Sequence, residues 1–427
     1  MTSHWRWALS RLSRRLWVRA TLIGMLGIVA ALIAIVAAPI IPNSLSVRIG
    51  SESVGSILNV LASSMLAVTT FSLSVMTSAY SAASNGATPR ATKLLIEDST
   101  TQNALATFIG SFLFSIVGLI VLHAGGYAAN GRFVLFLVTI GVIALIVISL
   151  LRWIDHLTRL GRVGATTQEV ENAAHDALLA RLQNPYLGGQ PLNDPKNDIP
   201  EGARPLASQE IGYIQHIDVG LLNAIAERYD AEIYLNTMPG AFAYPYTILA
   251  WTHASAPDIT IPDATLHKAF SILDERTFDQ DPRFGVIVLG EIAARALSAA
   301  INDPGTAIDV VGRIIRLLTL WSEGPKTNEV KYPKLHVPAL KTIDLLEDGI
   351  APFARYGATT VEVQIRLQKG LYALSHLGDE EFRMAIKSYA ELCLDCVKEA
   401  ALDEASFLRI KRAHEGKELY LLPPKTI

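Results

Sequence analysis

The chain contains little cysteine, little excess charge and none of the motifs of common enzyme classes. Its two cysteines, Cys393 and Cys396, cannot form a disulfide framework; their spacing suits half a metal site, a redox pair, or two small residues packed on a helix. A formal net charge of −3 on 427 residues argues against a nucleic-acid partner. Metalloprotease, phosphate-loop, nucleophile-elbow and dinucleotide motifs are absent from the sequence. The sequence therefore predicts no enzyme activity, metal or cofactor.

Long apolar segments occur only in the first 155 residues. Each of the four has the roughly 20 apolar residues that a helix needs to cross a hydrocarbon core about 30 Å thick. All four are predicted to be helices, because backbone groups in lipid must be hydrogen-bonded internally. Only Arg19 places a charge within them, near enough to one end to reach the headgroups. The predicted spans are residues 16–39, 54–76, 104–123 and 133–151.

Arginine and lysine are distributed unevenly around these spans. They lie before the first span, between the second and third, and after the fourth, whereas the other two loops hold only Arg48 and Arg132. The positive-inside rule then predicts an inner-membrane protein with both termini and the long C-terminal region in the cytoplasm, and Trp153 is expected at the interface. Alternatively, residues 14–15 form a twin-arginine signal cleaved near residues 37–38, which leaves three spans. The flanking cations are Arg6, Arg11, Arg14, Arg15, Arg19, Arg90, Lys93, Arg152, Arg159 and Arg162.

The second span carries a narrow line of hydroxyl and amide side chains, here called the polar stripe. The polar stripe consists of Ser56, Asn59, Ser63, Thr70, Ser74, Thr77 and Ser81. At 100° per residue these side chains fall within about 60° of arc, and Val68 and Val75 lie on the opposite side. A polar face on a helix in lipid must meet protein or water, so it is predicted either to pack against another helix or to line an axial pathway. No intramembrane carboxylate, lysine or histidine accompanies it, which disfavours a proton-coupled pump.

The second helix is predicted to continue past the usual membrane depth, because no charge occurs between Glu52 and Arg90. It is expected to break near Gly86. Thr88 is then expected to cap a basic amphipathic helix whose first position is Pro89.

The third and fourth spans differ in side-chain size. Gly110, Ser111, Ser115 and Gly118 of the third allow another helix to approach closely. The fourth is almost uniformly branched and aliphatic, so its outer face is expected to contact lipid.

The remaining chain is predicted to form a cytoplasmic α+β domain. Residues 156–205 are expected to hold a polar helix and a linker, residues 206–261 a small β-rich module, and residues 262–427 a helical part. The predicted fold class is therefore membrane α-helical, with four transmembrane helices in residues 1–155, followed by this cytoplasmic α+β domain.

Six polar residues near the ends of predicted helices form a candidate polar cluster: Arg276, Gln280, Asp281, Arg295, Asn302 and Asp303. The first three are expected to end one helix. Arg295 is expected to pair with Glu291 one turn earlier on the next helix, and Asn302 or Asp303 to cap a third helix that begins at Pro304. Capping and local ion pairs explain these residue types. A functional alternative has the arginines and aspartates converge between helices to bind an anion or form a regulatory ion-pair cluster.

Several short motifs are distributed between about residues 45 and 346. They are the small-residue second span before Thr88-Pro89-Arg90, Ile211-Gly212-Tyr213-Ile214-Gln215 with Ile217-Asp218, Pro239-Gly240-Ala241-Phe242, Glu275-Arg276-Thr277 with Gln280-Asp281 and Phe284-Gly285, and Arg295-Ala296-Leu297-Ser298 with Ile301-Asn302-Asp303-Pro304. Jointly they resemble a family of bacterial predicted membrane proteins catalogued as domain of unknown function 2254. The resemblance implies four spans and a cytoplasmic C-terminal domain, and it implies no activity. The chain departs from the pattern at Gly86-Ala87, where a glutamine and an aromatic residue are expected, and at Tyr244-Pro245, where a glycine often follows the turn.

Taken together, the sequence favours a homo-oligomeric channel or passive transport protein. The second span would line the axis, and the cytoplasmic domain would gate or assemble the pore. The alternative is a non-conducting receptor or scaffold with a cytoplasmic ligand- or partner-binding domain, and a membrane enzyme is a third possibility. The expected partners are the lipid bilayer and further copies of the chain; the sequence defines no particular small ligand or ion.

Overall fold

The computed structural model describes residues 16–36, 51–256, 259–327 and 329–418. The chain divides into two compact units, with the boundary between Thr166 and Thr167. The membrane unit precedes this boundary and holds the long apolar helices, whereas the C-terminal unit follows it and holds both sheets. Arg48, the arginines before Arg19 and the residues of the twin-arginine alternative lie outside the described residues.

Four described helices of the membrane unit are long and apolar enough to cross a membrane. They are α1 (Leu16–Val36), α2 (Ser51–Gly86), α4 (Ser99–His123) and α5 (Ala129–Leu157), and the short α3 (Pro89–Ile96) lies between α2 and α4. Helix α2 has 36 residues and is about 54 Å long, well beyond the depth of a hydrocarbon core. The predicted break is confirmed: α2 ends at Gly86, Thr88 caps α3 and Pro89 is its first residue.

Helix α4 is central to the membrane unit and packs against α1, α2 and α5. A Cβ added to Gly27 of α1 would lie 2.5 Å from the carbonyl oxygen of Gly110, so only glycine permits this crossing. A Cβ on Gly118 would lie 3.2 Å from a methyl carbon of Leu58 in α2. The small residues of the third span therefore serve close packing, as predicted, and their partners are helices of the same chain.

Helix α5 leaves many of its aliphatic side chains exposed, including Leu145, Ile148 and Leu151. This agrees with the predicted lipid contact. Trp153 requires a correction, because its side chain is buried inside the unit and not at an interface. Its indole N–H donates to Ser72 Oγ of α2 at 3.0 Å, which supplies the acceptor that a buried indole needs.

The C-terminal unit combines two sheets with a set of helices. The helices are α6 (Val163–Gln183, which crosses the unit boundary), α7 (Pro195–Asp198), α8 (Val219–Arg228), α9 (Asp263–His267), α10 (Pro282–Ala296), α11 (Pro304–Ser322), α12 (Thr342–Gly349), α13 (Ala351–Tyr356), α14 (Val361–Leu374), α15 (Glu380–Glu399) and α16 (Glu404–His414). The strands are β1 (Gly189–Leu192), β2 (Arg204–Ala207), β3 (Gly212–Ile217), β4 (Ala231–Leu235), β5 (Phe242–Ala243), β6 (Ile248–Ala254), β7 (Phe270–Leu273) and β8 (Tyr332–Pro338).

One sheet is mixed and has the order β1-β8-β4-β6-β2, in which β8 pairs in parallel with β1 and β4. The other is antiparallel and has the order β5-β3-β7. Side chains of both sheets and of α8 share one apolar core, which includes Ile214, Leu222 and Ile233.

The strands extend beyond residues 206–261, the range predicted for the β-rich module. Strand β1 lies within residues 156–205, which were predicted to hold a polar helix and a linker. Strands β7 and β8 lie within residues 262–427, which were predicted to be helical. A short apolar run suits either a helix or a strand, and here the choice depends on pairing with strands distant in sequence.

The helices after β8 pack against one another and against α10 and α11. Cys393 of α15 is fully buried, and Cys396 is half-buried. Burial, with a smaller effect of the neighbouring Cys396, raises the pKa of the Cys393 thiol to about 12, so the thiol is protonated at neutral pH. These facts fit packing better than redox chemistry.

Candidate functional site

The polar stripe of α2 points away from the other helices of the membrane unit. The opposite face of α2, with Leu58, Met65 and Met76, is buried, and α2 packs against α4. All seven stripe side chains are exposed, and the exposed Val60 and Phe71 lie beside them. The stripe is therefore not a contact between the described helices of this chain.

The stripe hydroxyls are partly satisfied by their own helix. Four of them donate to backbone carbonyl oxygens one turn earlier, at 2.8–3.2 Å: Ser63, Thr70, Ser74 and Thr77. Each such hydroxyl has used its single proton, so it presents oxygen lone pairs on the exposed side of the helix. These four positions thus present acceptors, Asn59 adds an amide that can donate and accept, and the stripe has no charged side chain.

In the C-terminal unit, Arg276, Gln280 and Asp281 meet in the loop before α10. Asp281 Oδ2 accepts a hydrogen bond from Arg276 Nε at 2.8 Å and forms an ion pair with Arg276 Nη2 at 2.7 Å. Asp281 Oδ1 accepts a hydrogen bond from the Phe284 N–H at 3.2 Å. Asp281 therefore caps the start of α10, and the prediction that these residues end a helix is wrong. The preceding segment forms β7 instead, because it pairs with β3.

Asp281 is 2% exposed and lies under the turn at Gly240. A Cβ on Gly240 would lie 2.2 Å from Asp281 Oδ2, and the φ angle of +94° also favours glycine. Burial raises the pKa of the Asp281 carboxyl above its ordinary value, while Arg276 and the Phe284 amide act in the opposite direction.

Gln280 joins the same loop to the end of β3. Its Oε1 accepts the Ile217 N–H at 3.0 Å, and its Nε2 donates to the Ile217 carbonyl oxygen at 3.4 Å. Gln215 Nε2 donates to the Glu275 carbonyl oxygen at 2.6 Å. Several motifs that carry the family resemblance thus meet around Asp281, where they tie β3, the Gly240 turn and α10 together.

The other members of the candidate polar cluster have separate roles. Asp303 is exposed and caps α11, because its carboxylate accepts the Thr306 N–H at 3.0 Å and the Thr306 hydroxyl at 2.6 Å. These bonds lower the pKa of Asp303 below its ordinary value. Asn302 has a left-handed φ of +48° and ends the preceding turn, so Asp303 is the cap of the two.

The pair of Glu291 and Arg295 stays a prediction, which the helical spacing permits. Arg295 Nε is buried without a hydrogen-bond partner. With Arg276 bound by Asp281 and Asp303 bound by Thr306, the geometry favours caps and a local ion pair over a shared anion site.

A second polar network, which the sequence analysis did not predict, connects α6 with α11 around the buried Glu171 and Arg313. Glu171 accepts hydrogen bonds from Arg313 at 2.5 Å and from Arg316 at 2.6 and 2.9 Å. Arg313 also donates to Asp309 and Gln168, both at 2.7 Å. Burial raises the pKa of Glu171, but the two arginines outweigh it and lower the pKa overall. The arginines share one face of α11, yet sequence alone does not show that this face meets α6.

Among the described residues, no group of three or more His, Cys, Asp and Glu side chains could hold a metal ion. The fold defines a class of protein in which four potential membrane-spanning helices precede an α+β unit of two sheets. Within this class, the chain belongs to the family described as predicted membrane protein (DUF2254), which matches residues 13–373. The resemblance found in the sequence is thereby confirmed.

The chain is similar to uncharacterised proteins of Mycobacterium bovis and of two strains of Mycobacterium tuberculosis. The identity to each is 27% over 353 residues, which cover 78% of this chain. The match spans 66% of the length of these relatives. No solved structure is significantly similar to the chain.

Proposed function

We propose that the protein is a homo-oligomeric channel or passive transport protein in which copies of α2 surround a common axis. The observation that supports this proposal is the exposure of the whole polar stripe on the side of α2 that the chain leaves unpacked. The stripe extends from Ser56 to Ser81, about 38 Å along the helix, which exceeds the depth of the hydrocarbon core. A polar face of this length is unfavourable in lipid, so a closed ring of copies would place it around an axis.

The chemistry of the stripe favours water or a small cation over an anion. Four of its hydroxyl groups, those of Ser63, Thr70, Ser74 and Thr77, donate to backbone carbonyls and present oxygen lone pairs outward. Such oxygens can replace part of the hydration shell of a cation, whereas an anion requires donors. No charged residue lies between Glu52 and Arg90, so passage would be passive.

The proposed orientation places both termini and the C-terminal unit in the cytoplasm, with α1, α2, α4 and α5 in the cell inner membrane. Arg90 and Lys93 lie on α3, and Arg152 and Arg159 lie at or just after the end of α5, which puts cations on one side of the predicted spans. In this arrangement the C-terminal unit assembles or gates the oligomer and has no enzymatic role.

One observation favours the alternative of a non-conducting receptor or scaffold. Hydroxyls that are already bonded to their own helix can be buried between helices without leaving a donor unsatisfied. The stripe would then be a dry seam between copies of the chain.

Thiol accessibility distinguishes a wet stripe from a dry one. Single cysteines would replace Ser63, Thr70 or Ser74 in a background that carries Cys393→Ala and Cys396→Ala. We expect these thiols to react with small charged reagents in nanodiscs, because the thiolate requires water. Cysteines at Val68 and Val75, on the opposite arc, and at the exposed Phe71 beside the stripe should remain unreactive.

Flux measurement completes the test. Ser74→Leu should reduce solute flux in liposomes without dissociating the oligomer, because leucine adds volume at the axis. If the cysteines at all tested positions are equally unreactive, the stripe is a packing seam and the scaffold is favoured. The same conclusion follows if Ser74→Leu disrupts the oligomer and the wild-type chain shows no flux.

A further inference from the structure

A cavity of about 210 Å³ lies within the C-terminal unit. Its walls come from the end of α6, the end of α11 and the starts of α12 and α15. Two hydrogen bonds fix these walls: the Lys326 N–H donates to the Leu182 carbonyl oxygen at 2.8 Å, and Trp321 Nε1 donates to Thr342 Oγ1 at 3.1 Å. The cavity is therefore a built feature of the fold and lies apart from the polar stripe.

Arg181 lines this cavity and is only 7% exposed. None of the hydrogen bonds and ion pairs among the described residues involves its guanidinium. Its electrostatic interaction is with Asp281, whose carboxylate is already bound by Arg276. Burial lowers the pKa of Arg181 to about 10, so the side chain is still charged at neutral pH. A cation as buried as Arg181 is costly unless it is paired, and an anion in the cavity would supply the partner.

The start of α12 provides a second feature suited to an anion. This helix has eight residues, and its N-cap residue Lys341 makes no side-chain capping bond. The first N–H groups of a helix have no intrahelical acceptor and lie at the positive end of its dipole. Lys341 and Thr342 both line the cavity. The lining therefore includes the cationic residue Lys341 and the first residue of α12 as well as Arg181.

Two acidic residues on the α15 side also line the cavity. They are Asp379 and Glu381, and Asp379 is engaged as the cap of α15 through a 2.8 Å hydrogen bond from the Phe382 N–H. Their charges offset part of the attraction of Arg181 for any anion, so an anion that also makes apolar contacts is favoured over inorganic phosphate.

The remaining lining residues and the volume of the cavity indicate the polarity and the size of the rest of the ligand. Tyr186, Trp321, Leu340 and Phe382 supply apolar surface. At about 30 Å³ per water molecule, the cavity holds roughly seven waters, or an organic molecule of about ten non-hydrogen atoms. Carboxylates match the planar donors of a guanidinium with two parallel hydrogen bonds.

We propose that this cavity binds a small organic monocarboxylate, with its carboxylate on Arg181 and the start of α12 and its apolar body against Trp321 and Phe382. This site is independent of conduction and of oligomer number. It gives the C-terminal unit a ligand-binding function.

Calorimetry with the full chain in nanodiscs tests the proposal, with benzoate and hexanoate as probes. Both should bind, raise the unfolding temperature and change the fluorescence of Trp321, a change that Trp321→Phe removes. Benzamide, which matches benzoate in shape but is neutral, and inorganic phosphate should bind at least about tenfold more weakly. Arg181→Gln should weaken benzoate binding by about tenfold or more, while Arg355→Gln, at an exposed arginine paired with Glu347, should leave it unchanged.

Ala339→Trp offers a variant that keeps the charge of Arg181. Ala339 is exposed and lines the cavity, so a large side chain there should fill the space without unfolding the unit and should abolish binding. The proposal is overturned if neither carboxylate binds the wild-type chain, if benzamide binds as well as benzoate, or if Arg181→Gln or Ala339→Trp binds benzoate as the wild type does.

Discussion

Asp281 and Asp303 occupy the same local position but differ in their surroundings. Each precedes a proline, caps a helix with its carboxylate and has a φ of −111°. Asp281 is buried and paired with Arg276, whereas Asp303 is exposed and contacts only the first turn of its own helix. Sequence alone predicted a cap at Asn302 or Asp303, because these residue types before a proline are a local signal for a helix start. It could not predict the burial of Asp281, which depends on β3 and the Gly240 turn.

Substitution of the two aspartates should therefore have unequal effects. Asp303→Ala should lower the free energy of unfolding by about 1 kcal/mol, the usual loss of a cap. Asp281→Ala should lower it by about 3 to 5 kcal/mol, because Arg276 loses its carboxylate partner in a mostly buried position. Chemical denaturation of the two variants measures the difference. Asn302→Gly is the control and should be nearly neutral, since glycine accepts the left-handed φ there. Equal losses for both aspartates would contradict this account.

Gly240 offers a test of the close contact over Asp281. Gly240→Ala should destabilise the C-terminal unit by about 3 kcal/mol or more, because the new Cβ combines an unfavourable φ with a steric clash against a buried carboxylate. Gly202→Ala is matched to it, since Gly202 has a similar φ of +88° but no atom within 4 Å of the added Cβ. Its loss should be only about 1 kcal/mol. Thermal unfolding compares the two variants, and similar shifts would show that the Gly240 contact is unimportant.

At the scale of elements, local signals predicted the end of α2 and the starts of α3 and α11 closely. Thr88-Pro89 and Asp303-Pro304 are capping sequences, and their helices begin where those sequences place them. Strands β1, β7 and β8 were missed because each is short and pairs with a distant segment. In β8, for example, Leu335 faces the core only because β4, about a hundred residues earlier, pairs with it.

The polar stripe shows a similar division between local and distant information. Helical periodicity placed its seven residues on one arc, and α2 is helical throughout. Periodicity could not show which arc of α2 packs on α4, because that depends on the complementary small residues of α4. The packed arc is the one that holds Leu58 and Met65, so the stripe remains outward.

The contact between α6 and α11 depends on Glu171, and it should respond to pH. The folded-state pKa of Glu171 lies below the ordinary value of 4.5, so its ion pairs stabilise the fold fully above that pH. This stabilisation is lost as the pH falls through the folded-state pKa. Glu171→Gln should therefore lower the free energy of unfolding by about 3 kcal/mol at pH 7, and the difference from wild type should shrink below pH 4.5.

Urea denaturation at several pH values measures this dependence. Glu323→Gln serves as the control, because Glu323 pairs with Lys326 at the surface and should contribute less than about 1 kcal/mol at any pH. A constant difference between wild type and Glu171→Gln across the pH range would contradict the assigned role.

At the scale of the whole molecule, the family and the four apolar helices agree on a membrane protein. The sequence predicted this division because apolar length is a property of each segment alone. The roles of the two units depend on contacts with other molecules. The small residues of α4 pack against helices of the same chain, whereas the polar stripe of α2 is exposed.

The central claim is that copies of α2 surround an axis, and the mass of the intact assembly in nanodiscs tests it most directly. At least three copies are needed, because two helices cannot enclose a pathway. We expect native mass spectrometry to show one closed homo-oligomer of three or more chains. Leucine at both Ser63 and Ser74 should alter that assembly or its flux, whereas leucine at Val60, beside the stripe, should not. A wild-type chain that remains monomeric or dimeric across lipid compositions would contradict the account.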